Sequence, residues 1–487
     1  MTCLLTTGQM YQADQAAMAA GISGPALMEA AGWQVARAIR LRFSPRSVLI
    51  LCGPGNNGGD GFVAARLLQG WGWPVTVALL GERGSLRGDA ARMAALWPGR
   101  VLPLADDFDG LLRRDPLVVD ALFGAGLSRP LDGVASRVLE AVQARGLPLV
   151  AVDLPSGLDG NSGQVLTDGQ GVGFAPQAAL TVTFFRPKPA HALMPGRRLC
   201  GELVVADIGI AAAVLSDIAP AQWLNGPDLW TLPSLDPAGH KYQRGHVLVA
   251  GGAEMTGAAR LAAASARRIG AGLCTIAAPA SALAIYRGGA AGCIVADQDD
   301  WPSLVADPRK NTAVIGPGLG VGEGARTLTL SALRAGKACV IDADALTSFS
   351  ASADRAVLFS AMGNAVLTPH DGEYGRLFAY RGDRLERARK AAAESGAVVL
   401  LKGPDTVIAA PDGRAAVTVD APATLATGGS GDVLAGAIAG LLAQGMAPFE
   451  AACAGAWCHG QAAAAGGSRL LAEDLPDLLE FAWDQAK

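Results

Sequence analysis

Val48-Leu49-Ile50-Leu51-Cys52-Gly53-Pro54-Gly55-Asn56-Asn57-Gly58-Gly59-Asp60-Gly61 decides the fold of the first half. A short unbroken apolar run suits a strand buried on both faces of a parallel sheet. The glycine-rich segment after it reads as a loop before a helix. Such a loop brings bare backbone and its N–H groups close to a ligand's phosphates. Runs at Ser47–Cys52, Pro74–Leu80, Pro116–Val119, Leu147–Val152 and Ala179–Phe184 read as strands, and Phe62–Trp71 and Ala135–Arg145 as helices. This alternation predicts a doubly wound, Rossmann-like three-layer α/β domain. Thr7 to Arg42 reads as two helices joined near Gly21–Gly24.

A proline-rich break falls at Ile218 to Pro237, with Asn225-Gly226 inside it, and sets a boundary near Trp223 between domains 1–222 and 223–487. The alternation then restarts, with strands expected at His246–Ala250, Leu273–Ala277, Ala313–Ile315, Ala338–Ile341, Ala365–Leu367 and Val398–Leu401. The 487 residues are 51% hydrophobic, 17% charged and 5% aromatic, with a net charge of −4. Large cores can form, and no basic run suggests nucleic acid. The eight cysteines form no CxxC pair and sit mostly in apolar segments, as reduced buried thiols do. Cys453, Cys458 and His459 lie in an alanine-rich helical stretch without a second matching pair, so zinc is not expected. With no signal pattern and no apolar run of membrane-spanning length, a soluble cytoplasmic protein is expected. A homo-oligomer is also expected.

Chemistry gathers where strands end. In the first half, Asp120 follows Leu117-Val118-Val119, and Asp153 follows Val150-Ala151-Val152 and precedes Leu154-Pro155-Ser156. A lone Asp there would cap a turn or helix. Together with the glycine loop, the two place carboxylates, amides and a hydroxyl in one crevice. In the second half, Gly428-Gly429-Ser430-Gly431-Asp432 opens the small-residue helix Val433–Leu442. A glycine turn at a helix N-terminus cradles anions, and the Asp beside it could take a proton from a hydroxyl. Gly316–Gly320, Asp342–Ala345, Thr368–Glu373 and Lys402–Thr406 are further strand-end loops.

The first half resembles the NAD(P)H-hydrate epimerase family over roughly Met10 to Ile210, through Asn56–Gly61, Val119–Leu127 and Val152–Asp159. The resemblance implies a substrate phosphate cradle at Asn56, Asn57, Gly58, Gly59 and Asp60. It also implies substrate contacts at Gly124, Ala125, Gly126, Leu127, Ser128, Arg129 and Pro130. It implies K⁺ held by Asn57, Asp120 and Ser156, with Asp153 as the catalytic group facing the damaged nicotinamide. Lys188 lies in a matching stretch and sits either near the site or on the solvated surface.

The second half resembles the NAD(P)H-hydrate dehydratase family, a branch of the ribokinase-like three-layer α/β fold, over roughly Lys241 to Gly460. The implied reaction is ADP-driven dehydration of the S hydrate of NADH or NADPH, following interconversion of R and S hydrates by the first half. Asp432 would be catalytic. Ala258, Gly320, His370 and Asp432 would contact substrate, while Lys402, Gly403, Pro404, Asp405, Thr406 and Gly431 would bind the nucleotide. Mg²⁺ would shield its phosphates. Asp371 stands where the family's loop usually has Pro, which is expected to loosen the turn and add negative charge beside His370. Two other readings stand beside this one. One is a small-molecule kinase for a vitamin alcohol, fused to a nucleotide-binding domain. The other treats the first half as a non-enzymatic binding module.

Overall fold

The computed structural model describes residues 1–234, 236–289 and 291–486. The chain forms two compact units that divide between Pro220 and Ala221.

The first unit is built on β1 (Val48–Cys52), β2 (Val75–Leu79), β3 (Val101–Pro103), β4 (Leu117–Ala121), β5 (Leu149–Val152), β6 (Leu180–Phe184) and β7 (Glu202–Ala206). They form a seven-stranded sheet in the order β3-β2-β1-β4-β5-β6-β7. Every pairing is parallel. The central strands β1, β4, β5 and β6 are buried along their whole length, as their continuous apolar runs require. The order reverses between β1 and β4, which opens a crevice at their carboxyl ends. Helices α1 (Thr7–Ala19) and α2 (Gly24–Arg42) precede the sheet, and α3 (Asn56–Gly70) follows β1.

Helix α3 departs from the expectation. Asn56–Gly61 is its first turns, not a loop before a helix at Phe62. Asn and Gly are poor helix formers, but packing overrides propensity here. A Cβ on Gly58 would stand 1.9 Å from Gly53 O, and one on Gly61 would stand 2.7 Å from Ala121 Cβ. Bare glycines let α3 lie against the strand ends of β1 and β4. Likewise a Cβ on Gly32 would meet Val63 Cβ at 2.4 Å, so α2 packs closely on α3.

The second unit holds a ten-stranded sheet in the order β11-β10-β9-β12-β13-β14-β15-β16-β17-β8. Its strands are β8 (Gln222–Leu224), β9 (His246–Ala250), β10 (Leu273–Ala278), β11 (Ile294–Asp297), β12 (Thr312–Ile315), β13 (Ala338–Ile341), β14 (Ala365–Leu367), β15 (Val398–Leu401), β16 (Thr406–Ala409) and β17 (Ala415–Thr418). Among the described residues only the β15–β16 and β16–β17 pairings of this sheet are antiparallel. The proline-rich break is therefore not purely a linker, because β8 arises within it and pairs parallel to β17. Helices α4 (Thr256–Arg268) and α5 (Ser430–Ala443) pack at backbone contact. Cβ atoms on Gly436 and Gly440 would stand 2.1 Å from Ala262 O and 2.6 Å from Ala266 O. Ser265 Oγ also donates to Val433 O at 2.6 Å. No helix among the described residues is long and apolar enough to cross a membrane.

Candidate active sites

In the first unit a cavity of about 660 Å³ opens at the β1/β4 crevice. Asn56, Asn57, Asp60, Gly124 to Arg129 and Asp153 line it. Gly58 and Gly59, also expected to bind substrate, are buried in α3 and are not part of the wall, nor is Pro130. The backbone donors this wall offers are thus the first-turn amides of a helix rather than those of a loop.

Asp153 sits at the end of β5 with φ 67°, a left-handed conformation rare for a residue with a side chain. Leu154 N donates back to Val152 O at 2.9 Å, so Asp153 is the centre of a tight three-residue turn. Such strain costs roughly 1–3 kcal/mol and persists only where surroundings hold it. Here Lys188 Nζ lies 2.6 Å from Asp153 Oδ1, Thr183 Oγ1 donates to the same oxygen at 2.9 Å, and Ala125 N donates to Oδ2 at 3.0 Å. Burial raises the carboxyl's pKa, but Lys188, His191 and the Ala125 amide outweigh it and hold it at about 2. Lys188 is therefore a buried partner of Asp153, not a solvated surface charge. His191 Nδ1 accepts from Lys188 N at 2.8 Å, which leaves Nε2 to donate to Asp153 O at 2.9 Å. Burial first, then Lys188, pushes this imidazole down to about 4, so it stays neutral.

Two other carboxyls face the same space. Asp60 is raised well above its ordinary value by burial, then by Asp153 and Asp14. Asp14, on α1, is raised to about 6, chiefly by burial. Asp14 was missed in the sequence. Its only signal is a polar residue on the helix stripe of Met10 and Met18, which also line the cavity.

Asp120 is fully buried. Its oxygens accept from Ser156 N at 2.8 Å, Ser156 Oγ at 2.7 Å and Leu122 N at 3.2 Å. Burial nevertheless raises it to about 6 against those bonds. Asn57 Nδ2 is buried without a hydrogen-bond partner. A Cβ on Gly124 would stand 3.1 Å from Asp153 Oδ2 and 3.2 Å from Asn57 Oδ1, so the chain passes close to both groups. The Asp120 carboxylate and Ser156 hydroxyl, with the Asn57 amide oxygen close to Gly124, are oxygens of the kind a hard monovalent cation takes.

In the second unit the expected residues converge at the carboxyl ends of β9, β12, β13, β14 and β15. Helix α5 begins at Ser430, so Asp432 lies in its first turn and not ahead of the helix. Gly429 caps it with φ 94°. Lys402 Nζ is 2.7 Å from Asp342 Oδ1 and 3.9 Å from Glu373 Oε2. A Cβ on Gly431 would stand 3.4 Å from that ammonium. Burial opposes the Lys402 charge, but Asp342, Glu373 and Asp432 raise its pKa. Asp432 is raised to about 6 by burial and by Asp342 and Asp344, with Lys402 acting against them. Asp344 Oδ2 accepts from Gly320 N at 2.8 Å. Asp342, Asp344 and Glu373 are thus central to a site in which the sequence assigned individual roles to Lys402, Asp405 and Asp432 among the charged groups. They were visible only as polar residues at strand ends. Ala258 lies in α4, its Cβ 3.1 Å from where one on Gly318 would stand.

His370 caps the helix Asp371–Leu377. Its Nδ1 accepts from Gly372 N at 2.9 Å and Glu373 N at 3.2 Å, while Glu373 Oε2 accepts from His370 N at 2.9 Å. The expectation that Asp371 loosens this turn is therefore wrong, because the turn is a reciprocal capping box. Nor is its charge uncompensated. Arg384 Nη1 lies 2.6 Å and Arg387 Nη2 3.0 Å from its carboxylate. Burial pulls the Asp371 pKa up, but these arginines lower it overall. Arg384 also donates to Lys402 O at 2.6 Å and lies 3.2 Å from Asp405 Oδ1, tying the His370 turn to the Lys402–Thr406 loop. Thr406 Oγ1 closes that loop on Gly403 O at 2.8 Å. Among the described residues no group of three or more His, Cys, Asp or Glu could hold a metal ion by itself. The donor set fits a divalent ion brought in on a nucleotide's phosphates.

Residues 246–480 match the family described as NAD(P)H-hydrate dehydratase, and residues 24–190 match that described as YjeF-related protein N-terminus. The bifunctional NAD(P)H-hydrate repair enzyme Nnr of Moorella thermoacetica is 38% identical, over 98% of this chain and 96% of its own. The protein of the same name from Coxiella burnetii is 36% identical over 98% of both chains. Among solved structures, the ADP/ATP-dependent NAD(P)H-hydrate dehydratase of Bacillus subtilis co-crystallised with ATP/Mg²⁺ is 30% identical. It covers 53% of this chain and 95% of its own, with a TM-score of 0.48.

Proposed function

The chain belongs to the bifunctional NAD(P)H-hydrate repair enzyme family, and from that premise we propose how its two halves, 1–222 and 223–487, divide the work. The chain repairs hydrated NADH and NADPH. Its first half interconverts the R and S hydrates, and its second half uses ADP to dehydrate the S hydrate to NAD(P)H.

In the second half, the carrying observation is Asp432 in the first turn of α5, beside the Gly429–Gly431 backbone and opposite Lys402. Asp432 takes the proton of the ring hydroxyl as that oxygen attacks the terminal phosphoryl group of ADP. Hydroxide leaves poorly; the phosphate so formed leaves well. The first-turn amides of α5 stabilise the charge on the transferring group, where losing one such donor costs about 10²–10³ in rate. Lys402 and the Gly403–Thr406 loop bind the nucleotide, and Ala258, Gly320 and His370 contact the hydrate. Mg²⁺ bound with the nucleotide shields its phosphates.

In the first half, the α3 amides hold the substrate's phosphate and Asp153 faces the nicotinamide. Asp153, kept ionised by Lys188, accepts and returns the proton at the hydroxyl-bearing ring. Asn57, Asp120 and Ser156 would hold K⁺, which would supply a fixed positive charge in the site. Self-association into a homo-oligomer belongs to the same reading, and sedimentation of the full chain tests it.

The functional test supplies a mixed R,S hydrate with ADP and follows the return of reduced-nicotinamide absorbance. The native chain is expected to clear the mixture. Asp432→Asn abolishes ADP-driven recovery, and Asp153→Asn stalls at the R portion. Full recovery by Asp432→Asn overturns its role. A phosphorylated alcohol that accumulates without dehydration indicates a kinase instead.

A further inference from the structure

The mechanism above uses none of the eight cysteines. Two of them face each other. Strands β10 and β11 run parallel with Thr275 opposite Ile294. The residues just before these are Cys274 and Cys293. Neighbouring strands lie about 4.8 Å apart, inside the span of roughly 4.4–6.8 Å between Cα atoms that a disulfide bridges. Side chains at matched positions on adjacent strands leave the same face. Both sulfurs accordingly pack in one apolar cluster, and the two thiols share a hydrogen bond.

We propose that Cys274 and Cys293 are a two-electron oxidation site that closes to a disulfide across the β10–β11 edge, with a hydroperoxide as oxidant. Cys274 is fully buried, whereas Cys293 is half-buried and open to a small oxidant. Cys3, Cys52, Cys200, Cys339, Cys453 and Cys458 are all buried. The hydrogen bond from Cys274, then the nearby Arg267 guanidinium, outweighs burial and brings Cys293 down to about 6. Cys274 moves well above its ordinary value. Cys293 is thus the thiolate that attacks. Its sulfur bonds to one oxygen of hydrogen peroxide as the O–O bond breaks. The departing hydroxide takes a proton to become water, leaving a sulfenic acid. The Cys274 sulfur then attacks the Cys293 sulfur. The S–S bond forms, the S–O bond breaks, and the released hydroxide leaves as water with the Cys274 proton. In sum two thiols lose two electrons and two protons, and one peroxide becomes two waters. A thiol reductant reverses the change. The bond lies near the amino ends of these strands, away from the carboxyl ends that carry the site.

The full chain is treated with hydrogen peroxide, alkylated, and mapped without reduction. A peptide linking Cys274 to Cys293, two hydrogens lighter and released by dithiothreitol, is expected, with the remaining cysteines still alkylated after denaturation. Cys293→Ser is expected to stay folded and lose the link. Cys274→Ser leaves Cys293 unresolved, so it accumulates as sulfinic acid. The proposal fails if peroxide that oxidises exposed methionine leaves both thiols alkylatable, or if cross-links form preferentially among the other cysteines. Native-chain mapping decides this even if Cys274→Ser does not fold.

Discussion

The pH dependence of dehydration probes the second site most directly. Burial, with Asp342 and Asp344 against Lys402, raises Asp432 to about 6. A base must be ionised to act. About nine-tenths of Asp432 is ionised at pH 7 and roughly a tenth at pH 5, so kcat/KM for the S hydrate is level above neutrality. Below 6 it falls about tenfold per pH unit. Two substitutions should move this limb in opposite directions. Asp342→Asn removes the leading like charge and frees Lys402 from a 2.7 Å partner, so the limb drops toward the ordinary carboxylate value of about 3.9. Lys402→Met removes the one lowering charge and shifts the limb up by about 1–3 units. Both variants lose absolute rate, so the position of the limb is what counts. Initial rates of absorbance recovery from pH 4.5 to 9, with near-UV circular dichroism to confirm folding, provide the measurement. A limb that stays near 6 in both variants, or moves the same way in both, refutes Asp432 as the titrating base.

Other outcomes are expected in the first unit. Without Lys188, burial dominates Asp153, so Lys188→Met should create an acid limb near neutrality where the native epimerisation rate is level to about pH 4; chromatographic R-to-S conversion measures it. Gly58→Ala drives a Cβ to 1.9 Å from Gly53 O, should cost about 1–3 kcal/mol, and should lower epimerisation while ADP-driven dehydration of pure S hydrate stays unchanged. His191 is held near 4 when folded, against 6.5 unfolded. The unfolded chain therefore binds more protons between those values, and the stability this neutral histidine brings is full above 6.5 and is lost as pH falls toward 4. Relative to His191→Gln, protection of the β5 and β6 amides from hydrogen exchange should decline across that window by on the order of 3 kcal/mol; a parallel decline in both proteins would contradict the buried neutral imidazole.

The buried parallel strands were legible because residues covered on both faces leave continuous apolar runs. The edges were not. β3 and β11 are short and only partly buried, and β7 is exposed or half-buried except at Ala206. The β16–β17 hairpin is rich in alanine, which carries little strand signal. At the sites, Asp153 and Asp432 were legible from position alone. Lys188 was not, because its burial depends on the β6 turn folding back under Asp153. Asp342 and Glu373 were not, because nothing local says that Lys402 will reach them across two strands. The α3 glycines misled for a physical reason. Composition that opens a loop when solvated also permits a helix wherever another backbone lies within contact.

Strand β8 sets a limit on dissecting the protein. The dehydratase likeness begins at residue 246, but Gln222–Leu224 closes the outer side of β17. Just beyond it, Asn225 Nδ2 donates to Thr418 Oγ1 at 3.0 Å and to Cys453 O at 2.8 Å, and Trp230 meets Trp457 edge-on with centroids 5.6 Å apart. A fragment cut at the start of the likeness would keep every residue of the second site yet leave a hairpin's backbone bare to solvent and two aromatic and amide sockets empty. Such an open ladder recruits strands from other molecules. A cleanly separable catalytic half has to carry the prolines that look like its tether.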